Sequence, residues 1–243
     1  MGEYRHIFFD LDGTLMRSRA ELLPEHESIF RGLCTSKDVI VVSGATAEQM
    51  EKQIGALHEG QYYKLSQYGN HALQKSGGTL WKEQFNKEQE EAVYSFIARL
   101  QKELALSVSD PKDLVEHRGS QISYSLIGHN EDLQKKYTFD PGSSRRKALL
   151  LKHKDEVKKL LMLGVAVGPG GTTCLDFTLA GHHKGFNVIR LIEKLGWHKE
   201  DALYIGDELE PGRNDETVLG VIDTHAVKNP DETFAFVKSK LLL

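Results

Sequence analysis

Three short apolar runs, His6-Ile-Phe-Phe9, Val39-Ile-Val-Val42 and Ala202-Leu-Tyr-Ile205, are each followed at once by polar residues. Continuous apolar stretches of this length, bounded by polar punctuation, predict strands buried on both faces. Between the first two runs, apolar positions over 20–33 recur at helical spacing. A second helical pattern covers 46–57, where Thr46 and Gln49 have the spacing of a capping box. This βαβα start predicts a parallel sheet. Residues 70–74 and 79–83 flank Gly77-Gly78 and predict a hairpin.

From about residue 85 the pattern changes. A long amphipathic helix over 87–104 precedes strands at 113–117 and 121–126. A second helical stretch over 143–162 precedes strands at 164–168 and 174–179. That αββαββ order predicts an antiparallel sheet with helices on one face. The βα style returns with a helix over 185–195, a strand over 202–206, a helix over 214–219, a strand over 220–223 and a last helix over 231–241. The expected fold is therefore α/β: a Rossmann-like parallel-sheet core, 1–84 with 184–243, interrupted by an inserted α+β domain over 85–183.

Bulk properties narrow the field. The chain has 243 residues, 40% of them hydrophobic and 27% charged, which suits a globular protein with a substantial core. A net charge of −4 speaks against nucleic acid as the main partner. No apolar run approaches the roughly 18 residues of a membrane span. No signal peptide is evident, and Arg5-His6-Ile7 lacks the Ser or Thr of a myristoylation signal after Gly2. Cys34 and Cys174 lack metal-ligand spacing and read as free thiols. The expected address is the cytosol, and the expected state a monomer or homodimer.

The motifs at the strand ends carry the chemistry. They are Asp10-Leu-Asp-Gly-Thr14, Ser43-Gly44, Lys184, and Gly206-Asp207 followed by Asn214-Asp215. Strand ends form the rim at which open α/β sheets bind ligands. Asp10 and Asp12, two apart, can face one side of an extended segment. One carboxylate can then attack phosphorus while the other protonates the leaving oxygen. An Asx turn would account for Asp12-Gly13 alone, but not for the remaining motifs. Ser43 and Gly44 offer a hydroxyl and backbone N–H groups to a phosphate near a helix start. Lys184, between His183 and Gly185, can neutralise charge building on phosphorus. Its position at a helix start is electrostatically disfavoured, which tilts the reading toward function rather than solvation. Asp10, a backbone carbonyl near Asp12, and Asp207 can ligate Mg²⁺, with Asp215 acting directly or through water. Pro211-Gly212 lets Asn214 and Asp215 fold back, while Glu208 and Glu210 read as solvated.

At these residues the chain resembles the haloacid dehalogenase superfamily. The inserted block resembles the cap of that superfamily's sugar-phosphatase (Cof-type) branch. The greatest similarity is to the eukaryotic-type phosphomannomutases, through Gln67-Tyr-Gly-Asn-His71, Arg118-Gly, Ser125-Leu-Ile-Gly128, Gly170-Gly171 and Asp176-Phe177. The resemblance implies Asp10 as nucleophile, Asp12 as acid/base and Asp207 as metal ligand. It also implies substrate contacts from Arg19, Arg118 and Asp176, with Asn214 and Gly44 at the same substrate. Where those mutases place two further cap arginines, this chain has His129 and Lys136 at the matching spacing. A Lys cannot reproduce a bidentate guanidinium, and a His is only partly charged near neutrality. The expectation is a Mg²⁺-dependent phosphatase acting on phosphorylated sugars. The alternatives are a phosphohexomutase and a non-catalytic sugar-phosphate binding protein.

Overall fold

Buried strands leave Asp10, Asp207 and their neighbours at one rim. The computed structural model describes residues 4–18, 20–106 and 108–242. The chain divides into two compact units, Met1–Lys82 with His182–Leu243, and Glu83–Gly181. The first opens with β1 (His6–Asp10), α1 (Pro24–Ser36), β2 (Asp38–Val42), α2 (Ala47–Ile54), β3 (Tyr63–Ser66), β4 (His71–Leu73) and β5 (Thr79–Lys82). The second contains α3 (Lys87–Leu104), β6 (Val115–His117), β7 (Gln121–Ser125), α4 (Leu133–Phe139), α5 (Ser144–Lys152), α6 (Lys154–Met162), β8 (Val165–Gly170) and β9 (Cys174–Leu179). The first then resumes with α7 (Lys184–Leu195), β10 (Ala202–Gly206), β11 (Asp223–Ala226) and α8 (Pro230–Phe236), which runs into a π-helical turn at Val237–Leu241.

The first unit is a seven-stranded sheet in the order β11-β10-β1-β2-β3-β4-β5. Its first five strands are parallel, and the β3–β4 and β4–β5 pairs are antiparallel. Alternation along β1 sends Ile7 and Phe9 against Phe30 and Leu33 of α1 and Phe234 of α8. Phe8 packs on the other side with Val188, Leu191 and Ile192 of α7. Helices thus cover both faces, which is why these strands read as unbroken apolar runs.

The second unit is a four-stranded antiparallel sheet, β6-β7-β9-β8. Ile122, Tyr124, Leu175, Phe177 and Val165 pack with Val93, Phe96, Ile97 and Leu100 of α3 and Leu160 of α6. The alternate residues Ser123 and Asp176, paired across β7 and β9, belong to the sheet's polar face.

Several element boundaries differ from expectation, each for a local reason. The first helix starts at Pro24 rather than residue 20, because a proline disfavours helical geometry in the residue before it. The preceding Leu22 N–H instead bonds Gln53 O at 2.8 Å. The second helix stops at Ile54, because Gly55 turns the chain at φ +96° before a short 3-10 turn. Thr46 and Gln49 do form the capping box. Strand β3 was not expected: Tyr63-Lys-Leu-Ser66 looks polar, yet Lys64 is buried and ion-paired with Glu51. Helix α4 is an element beyond the expected ones, and the stretch over 143–162 is two helices broken at His153. The expected helix over 214–219 is only a 3-10 turn at Glu216–Val218. The following strand begins at Asp223 rather than 220, after Gly220 turns at φ +76°.

Helix α7 lies hard against the segment after Asp215. A Cβ added to Gly185 would overlap the carbonyl of Thr217. Backbone cannot yield as a flexible side chain can. Gly185→Ala is therefore expected to destabilise the protein by about 1–3 kcal/mol or more. Thermal unfolding checks this, and an unchanged melting temperature would refute the close approach.

Candidate active site

The site is built where β1 and β10 end side by side. Their parallel register sets Phe9 beside Ile205, so Asp10 and Gly206-Asp207 leave the sheet together. On the other flank Asp10 pairs in register with Val42, which places Ser43 at the same rim. The Lys184 ammonium, only 1% exposed, is ion-paired with Asp10. It also donates to Asp215 Oδ1 at 2.7 Å and to Asn214 Oδ1 at 2.8 Å. Tyr204 OH donates to Asp215 Oδ1 at 2.6 Å and lies 3.4 Å from Lys184 Nζ. One ammonium thus serves two buried carboxylates.

Asp207 is half-buried and accepts from Thr14 Oγ1 at 3.0 Å. Gly13 makes that approach possible. Its φ of +89° suits glycine, and a Cβ there would overlap the Asp207 carboxylate. Oxygens of Asp10, Asp207 and Asp215 all lie within 4.8 Å of one another. Three carboxylates against one ammonium leave a local surplus of negative charge. An oxygen-only donor set of this kind fits a hard divalent cation.

The electrostatics follow from burial and that surplus. Burial raises the Asp10 carboxyl to about 7, with Asp215 and Asp207 adding to the rise against the pull of Lys184. Burial also works against the charge on Lys184, but Asp10 and Asp215 outweigh it and hold the ammonium above its ordinary range. Asp207 is raised by burial and by neighbouring Glu208 and Asp215, while Thr14 opposes the shift.

Other expected site residues are placed as follows. Asp12 is half-buried and accepts from Gln53 Nε2 at 3.3 Å. It stands outside the trio of close carboxylates. Ser43 is buried, and its Oγ accepts the Ala45 N–H at 3.1 Å. Gly44 has a steric reason to be glycine: a Cβ there would come within 2.9 Å of the Tyr68 ring. Gln67 and Tyr68 are themselves held at positive φ, and Tyr68 N–H bonds Ser43 O at 2.8 Å. Asn214 binds Glu208 Oε2 at 2.6 Å through Nδ2, so both ends of its amide are engaged. Arg19 lies outside the described residues.

In the second unit, Arg118 is bound by Glu116 through Nε and Nη2. His129 is buried, with Nε2 3.2 Å from Ser123 O and Nδ1 3.9 Å from Cys174 Sγ. Lys136 is also buried and donates to His129 O at 2.7 Å. Asp176 accepts from Ser123 Oγ at 2.6 Å. Arg146, 1% exposed, binds Asp140, three backbone carbonyls and Ser143. It ties the unit together rather than offering a guanidinium to a ligand. Cys34 and Cys174 are free, as expected.

Sequence reasoning missed Tyr204, Thr14 and Glu208. A hydroxyl-tipped ring inside an apolar strand, two residues before Gly206, was the available signal for Tyr204. Thr14 stood inside the first motif without a role. Glu208, read as solvated, is half-buried and engages Asn214 and Arg213.

A doubly wound parallel sheet with acids and a buried lysine at its carboxyl rim, interrupted by a separate α+β unit, defines a class of enzyme. Residues 7–229 match the haloacid dehalogenase-like hydrolases, and the chain belongs to that family. A phosphomannomutase of Encephalitozoon cuniculi (strain GB-M1) is 24% identical over 249 residues, covering 96% of this chain and 92% of its own. A phosphomannomutase of Schizosaccharomyces pombe (strain 972 / ATCC 24843) is 25% identical over 248 residues, with coverages of 96% and 92%. The fold is similar to that of IMP-bound Plasmodium falciparum IMP-nucleotidase, in an N-terminally truncated form. The TM-score is 0.70 at 17% identity, over 99% of this chain and 68% of the other. Among the described residues, no helix is long and apolar enough to cross a membrane.

Proposed function

We propose that the chain is a Mg²⁺-dependent phosphatase of sugar phosphates that works through an aspartyl phosphate on Asp10. The observation that carries this reading is the buried Lys184 ammonium shared by Asp10 and Asp215, with Asp207 closing the group of acids. Asp10 attacks phosphorus, and the bond to the sugar oxygen breaks as Asp12 donates its proton to that oxygen. Asp12 then takes a proton from water, the hydroxyl attacks the phosphoaspartate, and inorganic phosphate leaves with Asp10 regenerated. Lys184 holds the nucleophile and neutralises charge on the transferring group. Ser43 and the backbone at Gly44 bind phosphate oxygens. Asp10, Asp207 and Asp215, with the backbone near Asp12, would hold Mg²⁺, which supplies further charge neutralisation when bound.

In this reading the inserted unit, expected over 85–183, selects the substrate, and Arg118, His129, Lys136 and Asp176 are the residues proposed to read the sugar. Their pairing favours hydrolysis over mutase chemistry. Glu116 neutralises Arg118, and Lys136 is buried on a carbonyl, so neither presents the open cation that a second phosphate needs. The phosphomannomutases among the relatives favour the second reading, interconversion of hexose 1- and 6-phosphates. One experiment separates them: ³¹P NMR of protein, Mg²⁺, mannose 1-phosphate and catalytic glucose 1,6-bisphosphate. Inorganic phosphate as main product supports the phosphatase, and a growing hexose 6-phosphate signal supports the mutase. No conversion of this or any other sugar phosphate overturns both.

Cation binding should also release protons. In the metal-free protein the Asp10 carboxyl sits near 7, so part of it is protonated at neutral pH. A bound cation requires the carboxylate and pulls that value down. Calorimetric titration with Mg²⁺ at pH 7, in buffers of different ionisation enthalpy, is expected to reveal a fraction of a proton released. The release should grow toward pH 6 and vanish by about pH 8.5. A heat independent of buffer at pH 7 would contradict the raised Asp10.

A further inference from the structure

We infer that Tyr204 is a positioning residue, whose hydroxyl fixes the Asp215 carboxylate and through it aims Lys184 at Asp10. The inference rests on the proposed nucleophilic role of Asp10. Tyr204 belongs to β10, fully buried, and its hydroxyl meets Asp215 Oδ1 at 2.6 Å. The same carboxylate oxygen receives Lys184 Nζ at 2.7 Å, and the hydroxyl lies 3.4 Å from that Nζ. Phenol, carboxylate and ammonium therefore form a closed triangle, and its ammonium corner also holds Asp10.

The backbone makes room for this triangle. A Cβ on Gly206 would lie 2.5 Å from Asp215 Oδ2 and 2.8 Å from the Tyr204 ring. The strand thus gives up a side chain where ring and acid pass each other. A strand residue needed only for packing has no use for a hydroxyl in this place, because a buried hydroxyl must be satisfied and a phenylalanine need not be.

The physical consequence concerns aim. With the phenol present, Asp215 Oδ1 is shared by two donors in fixed directions, and the ammonium cannot follow the carboxylate as it turns. Without the phenol, Asp215 keeps the Glu208 N–H on Oδ2 at 3.3 Å, but Oδ1 is left to the ammonium alone and draws it from Asp10. A displacement of about 1 Å at reacting groups is enough to cost on the order of a hundredfold in rate.

The test is Tyr204→Phe, which keeps the ring and its packing. With p-nitrophenyl phosphate as substrate, kcat is expected to fall by tenfold or more. KM is expected to stay within twofold of the parent. In an Asp215→Asn background the same change should cost less than twofold, because the carboxylate that transmits the effect is gone. An unchanged kcat, a loss that persists in full in that background, or a KM that rises as far as kcat falls would each overturn the inference. Should Tyr204→Phe fail to fold, Tyr204→Met with the same readouts decides between the same outcomes. A parent protein inactive toward every phosphate ester tested would instead overturn the phosphatase reading itself.

Discussion

Asp10→Asn is expected to lower phosphate release by three orders of magnitude or more, the scale on which loss of a covalent nucleophile is felt. The argument is one of charge and reactivity rather than shape. Asn is nearly isosteric with Asp, and its amide oxygen can still accept from Lys184. What disappears is the anion that attacks phosphorus. The substitution also removes one acid from a crowded buried group, where the carboxyl is raised to about 7. The metal-free variant should therefore be at least as stable as the parent near neutral pH and above. Acid quench after mixing with a labelled phosphate ester should trap phosphoprotein in the parent and none in the variant. Retention of a tenth or more of the activity would remove Asp10 from the nucleophile's role.

Lys184→Met is expected to combine a kinetic with a structural loss. The ammonium is the cation shared by Asp10 and Asp215, so kcat should fall by about 10²–10³, as for loss of one preorganised electrostatic contact. Its removal also leaves two buried carboxylates without that partner, which costs about 3–5 kcal/mol when a buried pair is broken. Added Mg²⁺ should recover part of the lost melting temperature, since a cation among Asp10, Asp207 and Asp215 replaces part of the missing charge. Steady-state kinetics and melting curves with and without Mg²⁺ read both effects. Near-parental kcat, or a melting temperature insensitive to the substitution, would contradict the shared-ammonium geometry.

Much of this architecture was legible because burial on both faces leaves a plain signature. β1, β2 and β10 announce themselves as apolar runs, and each ends in the motif it presents. The 18-residue helix α3 was equally plain, with an apolar stripe and an Asn86–Gln89 capping box. β3 was hidden because Lys64 is an interior residue whose charge is met by Glu51, a pairing no local pattern reveals. Helix α4 was hidden because seven residues rich in polar side chains carry too little periodicity. The segment after Asp207 was misjudged because its turns are set by Gly212 and Gly220 and by packing on α7, not by its own propensity.

By itself the sequence determined the class of fold, the interruption by an α+β unit, and the acids and lysine that the strands present at their carboxyl ends. Those features are written locally, in hydrophobic period and in residue type beside a strand end. Only the tertiary structure decided which of those residues meet. It joined Lys184 to Asp10 across 174 positions of chain, gathered Asn214 and Asp215 on the same ammonium, and brought Tyr204 into that cluster. It likewise tied Arg118 to Glu116 and turned Lys136 onto a carbonyl. Partnership between distant side chains is a property of packing, and a linear pattern carries no record of which neighbour will take up a donor.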